Sequence, residues 1–308
     1  MSHEETDPGI VDAHHHVWDL SVRDQDWISG PELAPLRRDF TLAHLEPEAR
    51  AAGVTASVLV QTITVPQETP EFLALAANSD LVAGVVGWTD LTAPDVADHL
   101  AGLRAGLGGE YLVGIRHQVQ GEPDPRWLVR PDVLRGLAAV AEAGLVYDLV
   151  VKPRQLKAAA EAASRLPDLT FVLDHLGKPP IAYGTLDPWA EDVRRFAALP
   201  NTVCKLSGLV TEADWGSWTM QDLQPYADTV LDALPRAVLG RSGARRHAVG
   251  GTAHHTENAV NVLSAALPEF LGSSVSELVL GVVGWLMRCR RRGSPAQPNQ
   301  ERTDTPSD

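Results

Sequence analysis

Only two cysteines occur in 308 residues, Cys204 and Cys289, too few and too far apart for a disulfide framework. A stapled secreted scaffold is thereby excluded, and a reducing cytoplasm is the expected compartment. Basic residues are also scarce: 26 Lys and Arg face 40 Asp and Glu, a net charge of −14. That charge repels phosphate backbones and anionic lipid headgroups, so neither nucleic acid nor a membrane surface is an expected partner. Long apolar runs are missing too. The longest, Leu278 to Met287, has about half of the ~20 residues that a spanning helix needs. The polar, acidic stretch Met1 to Pro8 has neither the basic nor the apolar region of a secretory signal. No Gly-x-Gly-x-x-Gly turn follows an apolar run, and Gly177-Lys178 continues into Pro179 without the Ser or Thr of a phosphate loop. Nucleophile-elbow, Cys-x-x-Cys and His-Glu-x-x-His patterns are likewise absent.

What is present is an ordinary globular composition, 44% apolar and 21% charged, able to bury a sizeable core. From Ile10 to about Leu234, short β-branched runs alternate with segments of helical period. The predicted strands are Ile10–His14, Thr55–Gln61, Val82–Thr89, Leu112–Val119, Val146–Val151, Thr170–His175 and Thr202–Leu209. Helices are predicted near Ala43–Ala52, Pro70–Asn78, Ala93–Leu107, Pro131–Ala143, Gln155–Arg165, Pro188–Leu199 and Asp222–Leu234. Such βα alternation fits a (β/α)8 TIM barrel, whose chemistry sits at the carboxyl ends of its strands. An open doubly wound sheet alternates in the same way but lacks its phosphate turn here. The expected organisation is a tail over 1–9, one barrel domain over 10–281 and a disordered tail over 282–308. Within the domain, 235–255 is atypical: it is dense in Arg, Gly, Ala and His and offers only a broken apolar run for an eighth strand. A helix is predicted over Glu257 to Leu271.

Several apolar runs end in polar residues. His14 and His16 end the first, and alternation along a strand turns both to one face, where two imidazoles can bind a divalent metal or a substrate oxyanion. Asp174-His175-Leu176-Gly177-Lys178-Pro179 closes the sixth run, with His175 a candidate to polarise a carbonyl or bind metal. Arg116-His117 ends the fourth, where a guanidinium could clamp a substrate carboxylate or hydroxyls. Gln61 is a candidate pocket residue, as are Trp88 and Trp127, although core packing is the simpler reading of both tryptophans. Lys152 and Lys205 lie near the ends of the fifth and seventh runs, where a solvated lysine is the simpler reading. Cys204 reads as a buried small apolar residue.

The opening Val11-Asp12-Ala13-His14-His15-His16-Val17-Trp18-Asp19 resembles that of the amidohydrolase-related family containing sugar lactonases and 2-pyrone-4,6-dicarboxylate lactonase. Val58–Gln61, Gly84–Trp88, Val113–His117, Trp127-Leu128, Asp148–Pro153, Asp174–Pro179 and Lys205–Leu209 resemble its successive strand ends, so the likeness runs from residue 10 to about 234. It implies an amidohydrolase-type barrel that opens a small sugar-derived or carboxylated lactone in carbohydrate catabolism. His14, His16 and His175 would be the catalytic residues, with Arg116, His117, Gln61 and Lys152 on the substrate. His14, His16 and His175 would also hold one divalent metal, zinc, if a metal is used at all. The family's strand-eight aspartate has no counterpart, because no aspartate occurs between Ala233 and Thr303. A compensated reading-frame slip would leave such a texture over 235–255. Two other readings stay open: a catalytically impaired barrel acting as a binding scaffold, and a metal-dependent decarboxylase of the same superfamily. The partner expected is a small lactone, and the assembly is a monomer or a homo-oligomer.

Overall fold

Strands that are apolar on both faces need cover on both, and the computed structural model, which describes residues 10–234, buries them in one parallel sheet. The strands are β1 (Ile10–His15), β2 (Val54–Val60), β3 (Val82–Gly87), β4 (Leu112–His117), β5 (Val146–Leu149), β6 (Phe171–Leu173) and β7 (Thr202–Cys204). Each parallel pair needs a crossover. The helices that follow the strands are α1 (Leu42–Ala51), α2 (Glu68–Ala76), α3 (Val96–Ala105), α4 (Pro131–Glu142), α5 (Leu156–Arg165), α6 (Trp189–Ala197) and α7 (Met220–Ala233). Sheet order follows chain order from β1 to β7 without reversal. A doubly wound sheet reverses at a switch point, whereas a barrel wall does not.

The wall curls. His14 in β1 approaches within 3.3 Å of Lys205, one residue beyond β7, so the first and last described strands meet across the mouth. The fold is the TIM-barrel type expected from the sequence. The predicted eighth strand, the 235–255 stretch, the Glu257–Leu271 helix and both tails lie outside the described residues.

Leu59, Val85, Ile115, Tyr147, Leu149, Phe171 and Leu173 are fully buried along the strands. On α6, Trp189, Val193 and Phe196 recur at helical spacing and are buried, while Glu191, Arg194 and Arg195 stay in water. Each such apolar side chain contributes about 1.5–3 kcal/mol.

Sequence reading runs the sixth strand through His175 and the seventh to Leu209, but the sheet ends at Leu173 and Cys204. After Asp174 the chain enters a left-handed turn, with φ of 52° at His175, 56° at Leu176, 68° at Gly177 and 54° at Lys178. For residues other than glycine this conformation costs roughly 1–2 kcal/mol each. Two features hold it. Trp189 Nε1 donates to the Leu176 carbonyl at 2.8 Å, and Gly177 leaves out a Cβ that would stand 2.8 Å from Leu156.

His15 points away from His14 and His16. Its Nε2 lies 3.0 Å from Ser57 Oγ, while its buried Nδ1 has no hydrogen-bond partner. Burial pushes the imidazole down to about 4 from an ordinary 6.5. The unfolded chain therefore takes up a proton that the folded chain refuses. This contribution is fully present above pH 6.5 and is lost as pH falls toward 4, worth about 3 kcal/mol. Denaturant unfolding at pH 7, 5.5 and 4 should show His15→Gln losing less stability on acidification than the parent; equal losses would remove His15 as a source of acid sensitivity.

Candidate active site

Alternation along β1 turns His14 and His16 to the inside of the curl, and the left-handed turn after β6 brings His175 beside them. The three rings form a row. His14 is central, 4.9 Å from His16 and 4.5 Å from His175 between ring centroids. His16 and His175 are half-buried and reach the mouth, while His14 lies buried beneath.

Hydrogen bonds orient the row. His16 Nδ1 donates to the Val60 carbonyl at 2.7 Å, which leaves Nε2 as the lone pair facing His14 Nε2 at 3.2 Å. His175 Nδ1 meets Ser207 Oγ at 2.9 Å, so Nε2 is its free nitrogen. Burial holds His14 and His16 well below the usual histidine range and pushes His175 down to about 3. All three are neutral at neutral pH.

Beneath the row lies a cluster of charges. Asp174 is fully buried. Its Oδ2 accepts from Arg116 at 3.0 Å, and its Oδ1 lies 3.1 Å from Lys205 Nζ and 3.5 Å from His14 Nδ1 without a directional hydrogen bond. Lys205 also donates to Asp148, the end of β5 and likewise buried, and stands 3.3 Å from His14 Nδ1. Burial pushes the Asp174 carboxyl up, yet Lys205, His14 and Arg116 outweigh it and hold the group well below the carboxylate range. Asp148, which shares Lys205 with Asp174, is pushed up to about 6 by burial. Two carboxylates thus face two cations. One layer deeper on β1, Asp12 accepts the His14 backbone N–H at 3.0 Å, and burial raises it to about 7.

Among the residues predicted to hold substrate, Arg116 is buried with its donors committed. Its Nε and Nη2 go to Gln61 Oε1 at 3.2 and 2.9 Å, Nη2 also to the Gln61 carbonyl, and Nη1 to Asp174 at 3.0 Å and to His14 Nε2 at 3.3 Å. Gln61, fully buried, is in turn spent on Arg116. His117 stacks on Trp127 at 4.4 Å, accepts from Trp88 Nε1 at 3.0 Å and meets Glu122 at 2.7 Å, so both ring nitrogens are engaged. Lys152 is exposed after β5, apart from the cluster. Lys205 overturns the solvated reading, because its side chain is only 11% exposed and is ringed by Asp148, Asp174 and His14. Asp174, Lys205 and Asp148 are the functional candidates that sequence reasoning passed over; their signals were a position at a strand end and a place in the segments that resemble the family's. Cys204 is buried as expected, its thiol pushed up to about 12 by burial.

The donor set suits a borderline cation. One ligand atom each from His14, Asp174 and His175 lie within 4.8 Å of one another, and Asp174 Oδ1 is a buried oxygen without a directional partner. Two imidazoles and a carboxylate with an open position are ligands zinc accepts. The sequence-based set had His16 in place of Asp174. A cavity of about 510 Å³ adjoins the loops after β1, β2 and β4, with Arg23, Trp27, Thr64 and Gln118 in its wall.

A curled parallel wall with a histidine row and a buried carboxylate at its strand ends defines the class of barrel hydrolases. The chain belongs to the amidohydrolase family, whose family model matches residues 11–239. It is 39% identical to the L-fucono-1,5-lactonase of Burkholderia multivorans over 234 residues, 73% of this chain and 77% of that one. A second L-fucono-1,5-lactonase, of Burkholderia ambifaria, is 36% identical over 222 residues, 72% and 75% of the two chains. Among solved structures, an amidohydrolase of Burkholderia multivorans with bound zinc superposes with a TM-score of 0.68 at 38% identity, covering 73% of this chain and 80% of that one. The fold extends to a probable 2-pyrone-4,6-dicarboxylic acid hydrolase of Acinetobacter baumannii, with a TM-score of 0.63 at 16% identity over 92% and 93% of the chains.

Gly208 backs the His175 ring. With φ of +63°, a Cβ there would stand 2.6 Å from His175 Nδ1. Gly208→Ala should destabilise the protein by at least about 1–2 kcal/mol and shift the His175 imidazole signals in a ¹⁵N NMR spectrum. Unchanged melting and unchanged signals would show that the ring does not need this glycine.

Proposed function

We propose that this chain opens a small, uncharged, sugar-derived lactone by water attack on the ester carbonyl. One observation carries the reading: the row of neutral imidazoles of His16, His14 and His175 at the mouth of a barrel that is 36–39% identical to L-fucono-1,5-lactonases over nearly three quarters of its length.

The roles follow from which atoms are free. His16 and His175 present their edges to the mouth, so they are the histidines that meet substrate. Both carboxylates in the cluster, Asp148 and Asp174, are tied to cations. That leaves His175 Nε2 as the acceptor for the proton of the attacking water, with Ser207 holding the ring from behind. His14 orients its neighbours from beneath. A divalent cation, zinc by ligand chemistry, would be held by His14, Asp174 and His175; it would occupy the His175 nitrogen that otherwise takes the proton and would supply Lewis acidity at the carbonyl instead.

Charge favours a polyol over a dicarboxylate. The N–H groups of Arg116 are committed inside the fold, and Arg23 in the cavity wall is paired with Glu71 at 2.6 Å. Trp27 remains there as an apolar face, and Gln118, whose Nε2 donates to the Thr62 carbonyl, as an amide oxygen for a hydroxylated ring.

A pH-stat assay over a panel of aldonolactones, beside 2-pyrone-4,6-dicarboxylate and with or without Zn²⁺, tests the reading. Neutral lactones should be hydrolysed and the dicarboxylate should not. His175→Ala and His16→Ala should each lower the rate by about 10²–10⁴-fold. A folded protein that hydrolyses no lactone in the panel would sink it.

A further inference from the structure

We infer that Asp26 and Trp27 form a subsite that reads the hydroxyl groups and the C–H face of an uncharged polyhydroxylated ring, and so set which lactone this chain prefers. The inference rests on the proposed opening of a neutral lactone and assigns its selectivity to two residues of the excursion between β1 and α1.

Their place suits a substrate. The cavity they line, about 510 Å³, falls in the range of small-molecule sites, roughly 300–1,000 Å³. The excursion contributes Arg23, Asp24, Asp26 and Trp27, and the rest of the wall comes from the loop after β2 and from Gln118 after β4. Val60, whose carbonyl holds the His16 ring, ends β2. Ile63 in the cavity wall follows three residues later, at most about 11 Å of chain.

Trp27 is an exposed indole held in place. Its Nε1 donates to Gln25 Oε1 at 2.8 Å, and its ring meets Trp18 edge to face, 5.6 Å between centroids at 82°. Arg37 secures the same turn: Nη1 donates to the Gln25 and Ile28 carbonyls at 3.2 and 3.3 Å, and Nη2 pairs with Asp24 at 2.7 Å. Even so, 38% of Trp27 faces water. A fixed aromatic surface in a cavity wall can cover the C–H groups of a ring with little loss of side-chain freedom.

Donors and acceptors in the wall are unequal. The Arg23 guanidinium is paired with Glu71, and Gln118 Nε2 donates to the Thr62 carbonyl. Among the described residues the Asp26 carboxylate meets no cation and no hydrogen-bond donor, and Gln118 Oε1 accepts from none. What remains is the Thr64 hydroxyl, which serves either way, and two acceptors. A carboxylate accepts and cannot donate, so it matches the O–H groups of a polyol. An anionic ring meets the reverse: Asp26 repels it, and the guanidinium that would answer its charge is engaged elsewhere.

The test is isothermal titration calorimetry on the full chain with the δ-lactams of L-galactonic and D-gluconic acid, beside unsubstituted δ-valerolactam. A lactam keeps the ring and its hydroxyls and puts an amide in place of the reactive ester. The parent should bind at least one hydroxylated lactam, and more tightly than δ-valerolactam. Trp27→Ala should weaken binding of that lactam about tenfold, with Trp27→Phe recovering most of the loss, and Asp26→Ala should weaken it about threefold or more. Asp26 is exposed, so its variant decides the matter if Trp27→Ala does not fold. A parent that binds no hydroxylated lactam overturns the inference, as does a folded Asp26→Ala that binds it as the parent does, or one that loses as much affinity for δ-valerolactam. Hydroxylated lactams bound as expected by a chain that hydrolyses no lactone would sink the proposed reaction and leave the subsite standing; lactone hydrolysis with binding indifferent to Asp26 and Trp27 would do the opposite.

Discussion

A carboxylate with no access to water must be paired, and in this protein Asp174 is that carboxylate. Its two oxygens collect Arg116 from the end of β4 and Lys205 from beyond β7, while Lys205 also takes Asp148 from the end of β5 and approaches His14 in β1. The ends of five strand segments are therefore tied through four charges. Burying any one alone would cost several kcal/mol, and removing one partner of such a set commonly costs about 3–5 kcal/mol. The curl of the sheet follows from this arrangement, while the neutrality of the histidine row comes first from burial. The cations that hold Asp174 ionised also oppose a charge on His175.

Backbone strain serves the same end. A regular continuation of β6 would alternate side chains between the two faces, as β1 does. The left-handed turn instead lets Asp174 go to the buried charges while the very next residue, His175, reaches the mouth. Trp189 from α6 fixes that turn through the Leu176 carbonyl, and Tyr226 from α7 packs on Trp189 at 5.4 Å. The outer helices thus reach the turn through the Trp189 indole and through Leu156 of α5 against Gly177.

Much of the wall was legible because βα alternation is a local signal. All seven described strands and helices fall where apolar periodicity puts them, with ends shifted by a few residues. His14 and His16 were legible for the same reason, since two-residue alternation fixes their shared face. The end of β6 was not, because φ of 52° at a histidine is imposed by Trp189 and Gly177 from within the packed structure. Nor was the place of Lys205. A lysine one residue past a strand reads as solvated until the strand 57 positions earlier supplies its aspartate. Arg116 and Gln61 were legible as strand-end polar residues, but pattern alone does not say that they satisfy each other.

The excursion between β1 and α1 has a private core, in which Trp18, Ile28, Leu36 and Phe40 pack together and Trp18 and Phe40 exchange backbone hydrogen bonds of 2.7 and 2.9 Å. It is tied to the barrel beyond its own ends by Arg23, which pairs with Glu71 on α2 at 2.6 Å. Such a segment can diverge, or be exchanged as a cassette between related barrels, without disturbing the ionic lattice below. On the proposed function, selectivity and chemistry are then separable inheritances, one carried by a replaceable crown and the other by the strand ends.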